Sequence, residues 1–151
     1  MSLDVYLVLE ADAKTEPERW AIFIRENGEN REVSRAEWDR LHPGREPVMA
    51  KVGGETREVY SRNITHNLNA MAEAAGIYEP LWRPDEIGIT QAKQLIEPLV
   101  AGLEQLRAEP EKFKVHNPSN GWGSYDGLVA FVADYLEACR MYPDASVRVW
   151  R

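Results

Sequence analysis

Three short segments of the sequence concentrate the side chains that could bind or transform a small molecule. The first is Asn63-Ile64-Thr65-His66-Asn67, with two carboxamides and an imidazole close together. If it opens a helix, Asn63, His66 and Asn67 share one face by the i, i+3, i+4 rule. Beside the free amides of a helix N-terminus, that face suits a sugar, base or phosphate. The structural alternative is that Asn63 or Thr65 caps the helix and His66 satisfies a backbone carbonyl.

The second segment runs from Tyr78 to Glu86 and holds a tryptophan and an arginine between two prolines. Arg83 could grip a phosphate or carboxylate, and Trp82 could stack on a ring. The alternative is that Trp82 fills the core, as most aromatic side chains do. Arg83 would then pair with Asp85 or Glu86.

The third segment is a polar loop that carries His116, Asn120 and Trp122 and leads to Tyr125. Trp122 stands between two glycines, which let a backbone come close to another group. Polar loops that lead into a helix often carry function. The alternative is that Ser124 only caps the helix and Trp122 folds over the core.

These segments together predict one site, because pockets combine apolar walls with a few placed polar groups. The residues expected on one concave surface are Asn63, His66, Asn67, Arg83, His116, Asn120, Trp122 and Tyr125. The first hypothesis is binding of a small polar ligand, such as a nucleotide or ribose derivative. The second is an enzyme with His66 or His116 as general acid–base, oriented by a carboxylate such as Asp126. The third is a protein-interaction module anchored by Trp122 and Trp82.

Catalytic, metal and cofactor motifs do not occur in the sequence. No histidine is followed three or four residues later by a second histidine or by a cysteine, so we predict no metal site. A P-loop, a dinucleotide-binding fingerprint and a nucleophile elbow are likewise missing. We therefore assign no catalytic residue and predict no cofactor.

Alternating apolar residues predict the strands. Leu3 to Leu9 alternates clearly, and we expect this strand to be central because it needs partners on both sides. Further strands are predicted at Arg19 to Arg25, at Pro47 to Val52 and Thr56 to Tyr60 as a hairpin around Gly53-Gly54, and at Val147-Val149.

Capping residues and helical spacing predict a short helix and three main helices. The short helix is expected from Arg35 to Leu41, capped by Ser34. The main helices are expected from the Asn63 segment to a stop at Gly76, from a cap at Thr90 to Pro110, and from a cap at Ser124 to Pro143, with a loop from Phe113 to Gly123. The order of elements predicts one α+β domain over residues 1–151, with a mainly antiparallel sheet, about three main helices packed on it and a C-terminal strand.

Composition limits the partners. The chain has 25 acidic and 18 basic residues, a net charge of −7 and no dense basic run, so double-stranded nucleic acid is not expected. Its one cysteine, Cys139, excludes a disulfide within the chain. No apolar run approaches the roughly 20 residues of a membrane span, and no basic segment opens a signal peptide. We expect a cytoplasmic protein with no membrane partner.

Several strings of the sequence form a longer pattern. They are the opening Met1-Ser2-Leu3-Asp4-Val5-Tyr6-Leu7, then Asn63-Ile64-Thr65-His66-Asn67-Leu68, Ala75-Gly76-Ile77-Tyr78, Leu81-Trp82-Arg83-Pro84 and Gly121-Trp122-Gly123. This pattern, over Met1 to Leu9 and most of Tyr60 to Arg151, resembles a family of small uncharacterised bacterial and phage proteins. Family members have a different, shorter segment where this chain has Ala11 to Arg57, sometimes with paired cysteines.

The resemblance implies no activity. A phage setting adds one possibility by analogy, which is that the protein neutralises a host defence, for example by sequestering a nucleotide signal.

Overall fold

A computed structural model describes residues 1–10, 18–54 and 56–151 of the chain. They fall into two compact units, one made of Met1–Glu10 and Arg57–Arg151 and the other of Ala11–Thr56. Both contain helix and antiparallel strand, so the predicted α+β class is confirmed. A single domain over residues 1–151 stays a prediction.

The elements follow one another along the chain in this way. The strands are β1 (Ser2–Leu9), β2 (Arg19–Glu26), β3 (Glu29–Val33), β4 (Met49–Val52), β5 (Arg57–Thr65) and β6 (Ser146–Trp150). The α-helices are α1 (Arg35–Leu41), α2 (Asn69–Ala74), α3 (Tyr78–Trp82), α4 (Lys93–Ala108), α5 (Pro110–Lys114) and α6 (Tyr125–Met141). Two 3-10 turns, His66–Leu68 and Pro84–Ile87, precede α2 and follow α3.

The first unit is built on a three-stranded antiparallel sheet in the order β5-β1-β6. The alternating residues Leu3, Val5 and Leu7 of β1 are fully buried. Their burial explains why this strand is central, since an apolar strand at the sheet edge would expose its backbone to other chains. The predicted central strand and the predicted C-terminal strand are both confirmed.

The two long helices of the first unit, α4 and α6, bury one stripe each, as amphipathic helices do. The buried stripe of α4 contains Leu95, Leu99, Leu103 and Leu106, and that of α6 contains Leu128, Phe131, Val132, Tyr135, Leu136 and Cys139. The Ser124 hydroxyl accepts the Gly127 amide at 3.0 Å, so the predicted cap of α6 is confirmed. In the part of the chain that the structure describes, no helix combines the length and the apolar character needed to cross a membrane.

The second unit is a three-stranded antiparallel sheet in the order β3-β2-β4, followed in sequence after β3 by α1. Asn27 and Gly28 both have positive φ, 52° and 82°, which matches the turn that closes a tight hairpin between β2 and β3. The Ser34 hydroxyl accepts the Glu37 amide at 3.1 Å, so α1 begins at its predicted cap.

The prediction of a hairpin around Gly53-Gly54 is wrong. The segments on either side of it are strands, but β4 pairs with β2 and β5 pairs with β1. A turn signal between two strands indicates a change of direction, whereas strand partners are decided by which apolar faces meet in the core.

The helix predicted from the Asn63 segment begins later than expected. Strand β5 continues through Thr65, so Asn63 lies on a strand and does not share a helix face with His66. The Thr65 hydroxyl accepts the Asn67 amide at 3.3 Å, which makes Thr65 the cap of the first turn. The predicted stop is correct, because Gly76 has a φ of 72° just beyond α2.

Two other boundaries differ from the prediction. Thr90 does not cap α4; instead the Gln94 side-chain oxygen accepts the amides of Thr90 and Gln91, each at 2.9 Å. The predicted loop after α4 starts with a helix, because Pro110 occupies the first turn of α5. Phe113 lies in that helix and is fully buried.

Candidate functional site

One cavity combines residues from two of the three polar segments. It has a volume of about 460 Å³ and lies where the start of β1, the end of β5, the 66–68 turn and the loop before α6 meet. Its described lining residues are Met1, Ser2, Asn63, Thr65, Asn67, Asn120 and Trp122. We call this space the carboxamide cavity, because three asparagines line it.

Strand pairing places one wall of the carboxamide cavity. Ser2 is paired with Thr65 across the β1–β5 ladder, and two residues along Asp4 is paired with Asn63. Side chains of a strand alternate between the two faces of the sheet. The buried Leu3 faces the core, so its neighbours Ser2 and Asp4 lie on the outer face.

The loop before α6 supplies the opposite wall. The Asn120 side-chain oxygen accepts the Trp122 amide at 3.0 Å, and the Asn67 side-chain nitrogen donates to the Trp122 carbonyl at 3.3 Å. Gly123 has a φ of 98°, and a Cβ atom there would lie 2.7 Å from Thr65 Cγ2. The loop therefore packs directly on the 66–68 turn and its cap Thr65, together called the 65–68 turn. The Trp122 side chain itself is 71% exposed.

The hydrogen bonds of the three asparagines determine what each one still offers to a ligand. Asn63 donates its amide nitrogen to the Asp4 carboxylate at 2.6 Å, and Asn67 donates its own to a carbonyl. Each keeps its side-chain oxygen as an acceptor and one further N–H. Asn120 uses its oxygen, so its two N–H donors are available. The described side chains of the cavity are all uncharged.

His66 stands in the sequence between two residues that line the carboxamide cavity, but its side chain interacts with the core. Its Nδ1 accepts the indole N–H of Trp82 at 2.9 Å, and Trp82 is only 2% exposed. Because an indole can only donate, Nδ1 must be unprotonated and neutral His66 carries its proton on Nε2. His66 therefore satisfies a buried donor, and Trp82 fills the core.

Arg83 is held by an ion pair outside the carboxamide cavity. Its Nη1 lies 2.6 Å from Glu86, and its Nε lies 3.5 Å from the Tyr78 hydroxyl. The neighbouring Asp85 pairs with Arg151 at 2.8 Å. Arg83 therefore pairs with Glu86, one of the two partners that the alternative interpretation gave it.

Tyr125 and His116 also lie outside the described lining of the cavity. Tyr125 is 8% exposed, and its hydroxyl donates to the Leu106 carbonyl, which ties α6 to α4. His116 is half-buried, and its backbone amide donates to the Phe113 carbonyl at 2.9 Å. The structure thus brings Asn63, Asn67, Asn120 and Trp122 together, whereas the other four predicted residues have separate surroundings.

Three cavity residues were missed by the sequence analysis. Met1, Ser2 and Thr65 were not assigned to the site, and Thr65 was considered only as a helix cap. Ser2 and Thr65 reach the cavity through the ladder between strands far apart in sequence. A serine at the start of a strand has no local signal that would distinguish it from other exposed residues.

The alternative functions find little geometric support in the described residues. Neither His66 nor His116 hydrogen-bonds to a described carboxylate, and within residues 1–10, 18–54 and 56–151 no group of three or more His, Cys, Asp or Glu side chains could hold a metal ion. The buried Trp82 cannot act as an exposed anchor beside Trp122.

No protein-family model, curated protein or solved structure matches the chain.

Proposed function

We propose that the protein binds a small, neutral, polar molecule in the carboxamide cavity. The main support is that three asparagine side chains, two hydroxyl residues and an exposed indole line a single cavity. Carboxamides and hydroxyls can both donate to and accept from sugar hydroxyls or the edge of a base. A tryptophan ring adds a flat apolar surface on which a sugar or base can stack.

The lack of arginine and lysine among the described lining side chains favours a neutral ligand over a phosphorylated one. Phosphate sites rely on arginine, lysine or the free amides of a helix N-terminus. The described side chains of the carboxamide cavity are uncharged, and Arg83 is paired with Glu86. The Asp4 carboxylate beside Asn63 would repel an anion. A sugar or a nucleoside fits these surroundings better than a nucleotide.

The resemblance to bacterial and phage proteins suggests a biological setting for this binding. In that setting, which is part of the proposal, a phage protein would sequester a host molecule that carries a ribose or a related ring. The same cavity chemistry would serve either a phage or a bacterial protein, because it depends only on the ligand.

NMR titration of the whole protein tests the proposal directly. Adenosine, ribose, glucose and N-acetylglucosamine would be added while the side-chain NH₂ signals of asparagine and the indole N–H signals are followed. We expect shifts at Asn63, Asn67, Asn120 and Trp122. Asn120→Ala should weaken binding about threefold to tenfold, since one hydrogen bond contributes about 0.5–1.5 kcal/mol. Trp122→Ala should weaken it about tenfold or more through lost stacking.

Matched controls separate the cavity from the general surface. Asn69 and Trp20 are exposed residues outside the cavity lining, so Asn69→Ala and Trp20→Ala should leave binding unchanged. If none of the four compounds moves the cavity signals, or if Asn69→Ala weakens binding as much as Asn120→Ala, the proposal is wrong.

A further inference from the structure

A second, smaller cavity adjoins the carboxamide cavity. It has a volume of about 150 Å³ and is lined by Asp4, Tyr6, Ser61, Arg62 and Asn63. Asn63 lines both cavities, so they meet at this residue. A ligand in the carboxamide cavity thus has a path along the sheet beyond Asn63.

This path follows cross-strand pairs on the outer face of the sheet. Counted from the carboxamide cavity, the pairs are Ser2–Thr65, Asp4–Asn63 and Tyr6–Ser61. Successive pairs on one face are two residues apart, which is about 6.7 Å in an antiparallel strand. The first and third pairs are therefore about 13 Å apart. That length exceeds a single sugar ring or base.

Strand β6 widens the path and adds an aromatic surface. Trp150 is paired with Asp4 across the β1–β6 ladder, so its side chain is on the outer face beside the second row. It is 71% exposed, as is Trp122 at the carboxamide cavity. Two exposed indoles and a line of hydroxyl, amide and carboxylate groups thus lie along one surface of the first unit.

The charges on this face disfavour a polyanion. Nucleic acids are bound largely through cations that neutralise phosphates. Arg148 on this face is paired with Glu10 at 2.7 Å, whereas Arg62, whose cross-strand partner is the buried Val5, is paired with Asp134 of α6. The Asp4 carboxylate adds a negative charge in the middle of the path, where its described partner is the Asn63 amide. The chain as a whole has a net charge of −7.

We infer that the natural ligand is a neutral oligosaccharide, with one ring in the carboxamide cavity and further rings on the sheet face towards Ser61 and Trp150. Sugar hydroxyls donate to the Asp4 carboxylate and the Asn63 oxygen, and the Trp150 indole stacks on a second ring. This inference rests on the proposed function, since it places the first ring in the same cavity.

The test compares neutral sugars of increasing length on the whole protein. Glucose and N-acetylglucosamine, and their unbranched oligomers of two to six rings, would be titrated by calorimetry and NMR. We expect the tetrasaccharide of the preferred series to bind at least about tenfold tighter than the monosaccharide, because added rings contact Trp150. The signals of Ser61 and Trp150 should shift only with the longer sugars.

Two variants locate the additional rings. Trp150→Ala should remove most of the gain with length and leave monosaccharide binding unchanged. Ser61→Arg, at an exposed position, should do the same by filling the second cavity. Trp20→Ala is the control for loss of an exposed indole, and the melting temperature of each variant shows whether it is folded.

Each remaining outcome has a distinct meaning. Monosaccharide binding with no gain in affinity for longer sugars would overturn the oligosaccharide inference and leave the proposed function standing. A gain that survives in both Trp150→Ala and Ser61→Arg would overturn the path across the sheet. If a single-stranded oligonucleotide binds more tightly than the sugars, and its binding weakens with salt, the natural ligand is a polyanion and not a neutral oligosaccharide. Failure of every sugar and nucleoside to bind would overturn both proposals.

Discussion

Replacing Gly123 by alanine should destabilise the first unit and disturb the carboxamide cavity together. Gly123 has a φ of 98°, and its added Cβ would lie 2.7 Å from Thr65 Cγ2 and 2.9 Å from Leu68 Cγ. Leu68 is 1% exposed, so its side chain has little room to move. The loop that carries Trp122 must therefore shift away from the 65–68 turn.

The magnitude has two parts. Left-handed backbone costs a residue with a Cβ about 1–2 kcal/mol, and overpacking costs about 1–3 kcal/mol. Gly121→Ala is the matched control, because Gly121 has a φ of 74° and an added Cβ would meet nothing within 4 Å. We expect a loss of about 1–2 kcal/mol for Gly121→Ala and about 2–5 kcal/mol for Gly123→Ala.

Urea denaturation measures both losses, and the difference between them isolates the contact with the turn. Thr65→Ser removes Cγ2 and keeps the hydroxyl that accepts the Asn67 amide. This change should recover part of the stability lost in Gly123→Ala. Equal losses for Gly121→Ala and Gly123→Ala, or no recovery with Thr65→Ser, would refute the close packing of the loop on the turn.

Three further predictions concern the core of the first unit. The buried Tyr135 hydroxyl has no hydrogen-bond partner among the described residues, so Tyr135→Phe should raise the free energy of unfolding by about 1 kcal/mol, measured in urea. An unchanged or lower free energy of unfolding would contradict the lack of a partner. Gly102→Ala should lower stability by about 1–3 kcal/mol, since its Cβ would lie 2.2 Å from Ile77 Cγ2. A gain in stability would show that the better helix propensity of alanine, roughly 1 kcal/mol, outweighs this close contact. Burial raises the pKa of the Cys139 thiol from 9.0 to about 12. The unfolded chain therefore loses this proton first, and stability should fall as the pH rises from about 9 towards 12, with a shallower fall in the urea midpoint for Cys139→Ala than for the natural protein.

Features that depend on a few neighbouring residues were predictable from the sequence. The caps at Ser34 and Ser124 need only an oxygen before an apolar stripe, and both are confirmed. The alternation of Leu3, Val5 and Leu7 predicted a buried central strand for the same reason. Such signals act over one turn of helix or one face of a strand, so the residues that produce them are close together in the sequence.

Strand partners and the boundary of β5 were decided by tertiary contacts. Asparagine favours turns and caps, which made a helix start at Asn63 the natural prediction. Pairing with β1 keeps the backbone extended through Thr65, because each ladder hydrogen bond offsets the weak preference of the asparagine. The failed hairpin at Gly53-Gly54 has the same origin, since the partners of both flanking strands lie elsewhere in the chain.

The sequence by itself determined the α+β class, most helices and strands, and the segments in which polar and aromatic residues concentrate. Only the tertiary structure decided which of those residues meet. Asn67 and Trp122 come together because the loop before α6 packs on the 65–68 turn. His66 is bound instead to the buried Trp82 indole, and Tyr125 to a carbonyl of α4. A buried donor must find an acceptor, and which acceptor lies within reach depends on packing between distant segments.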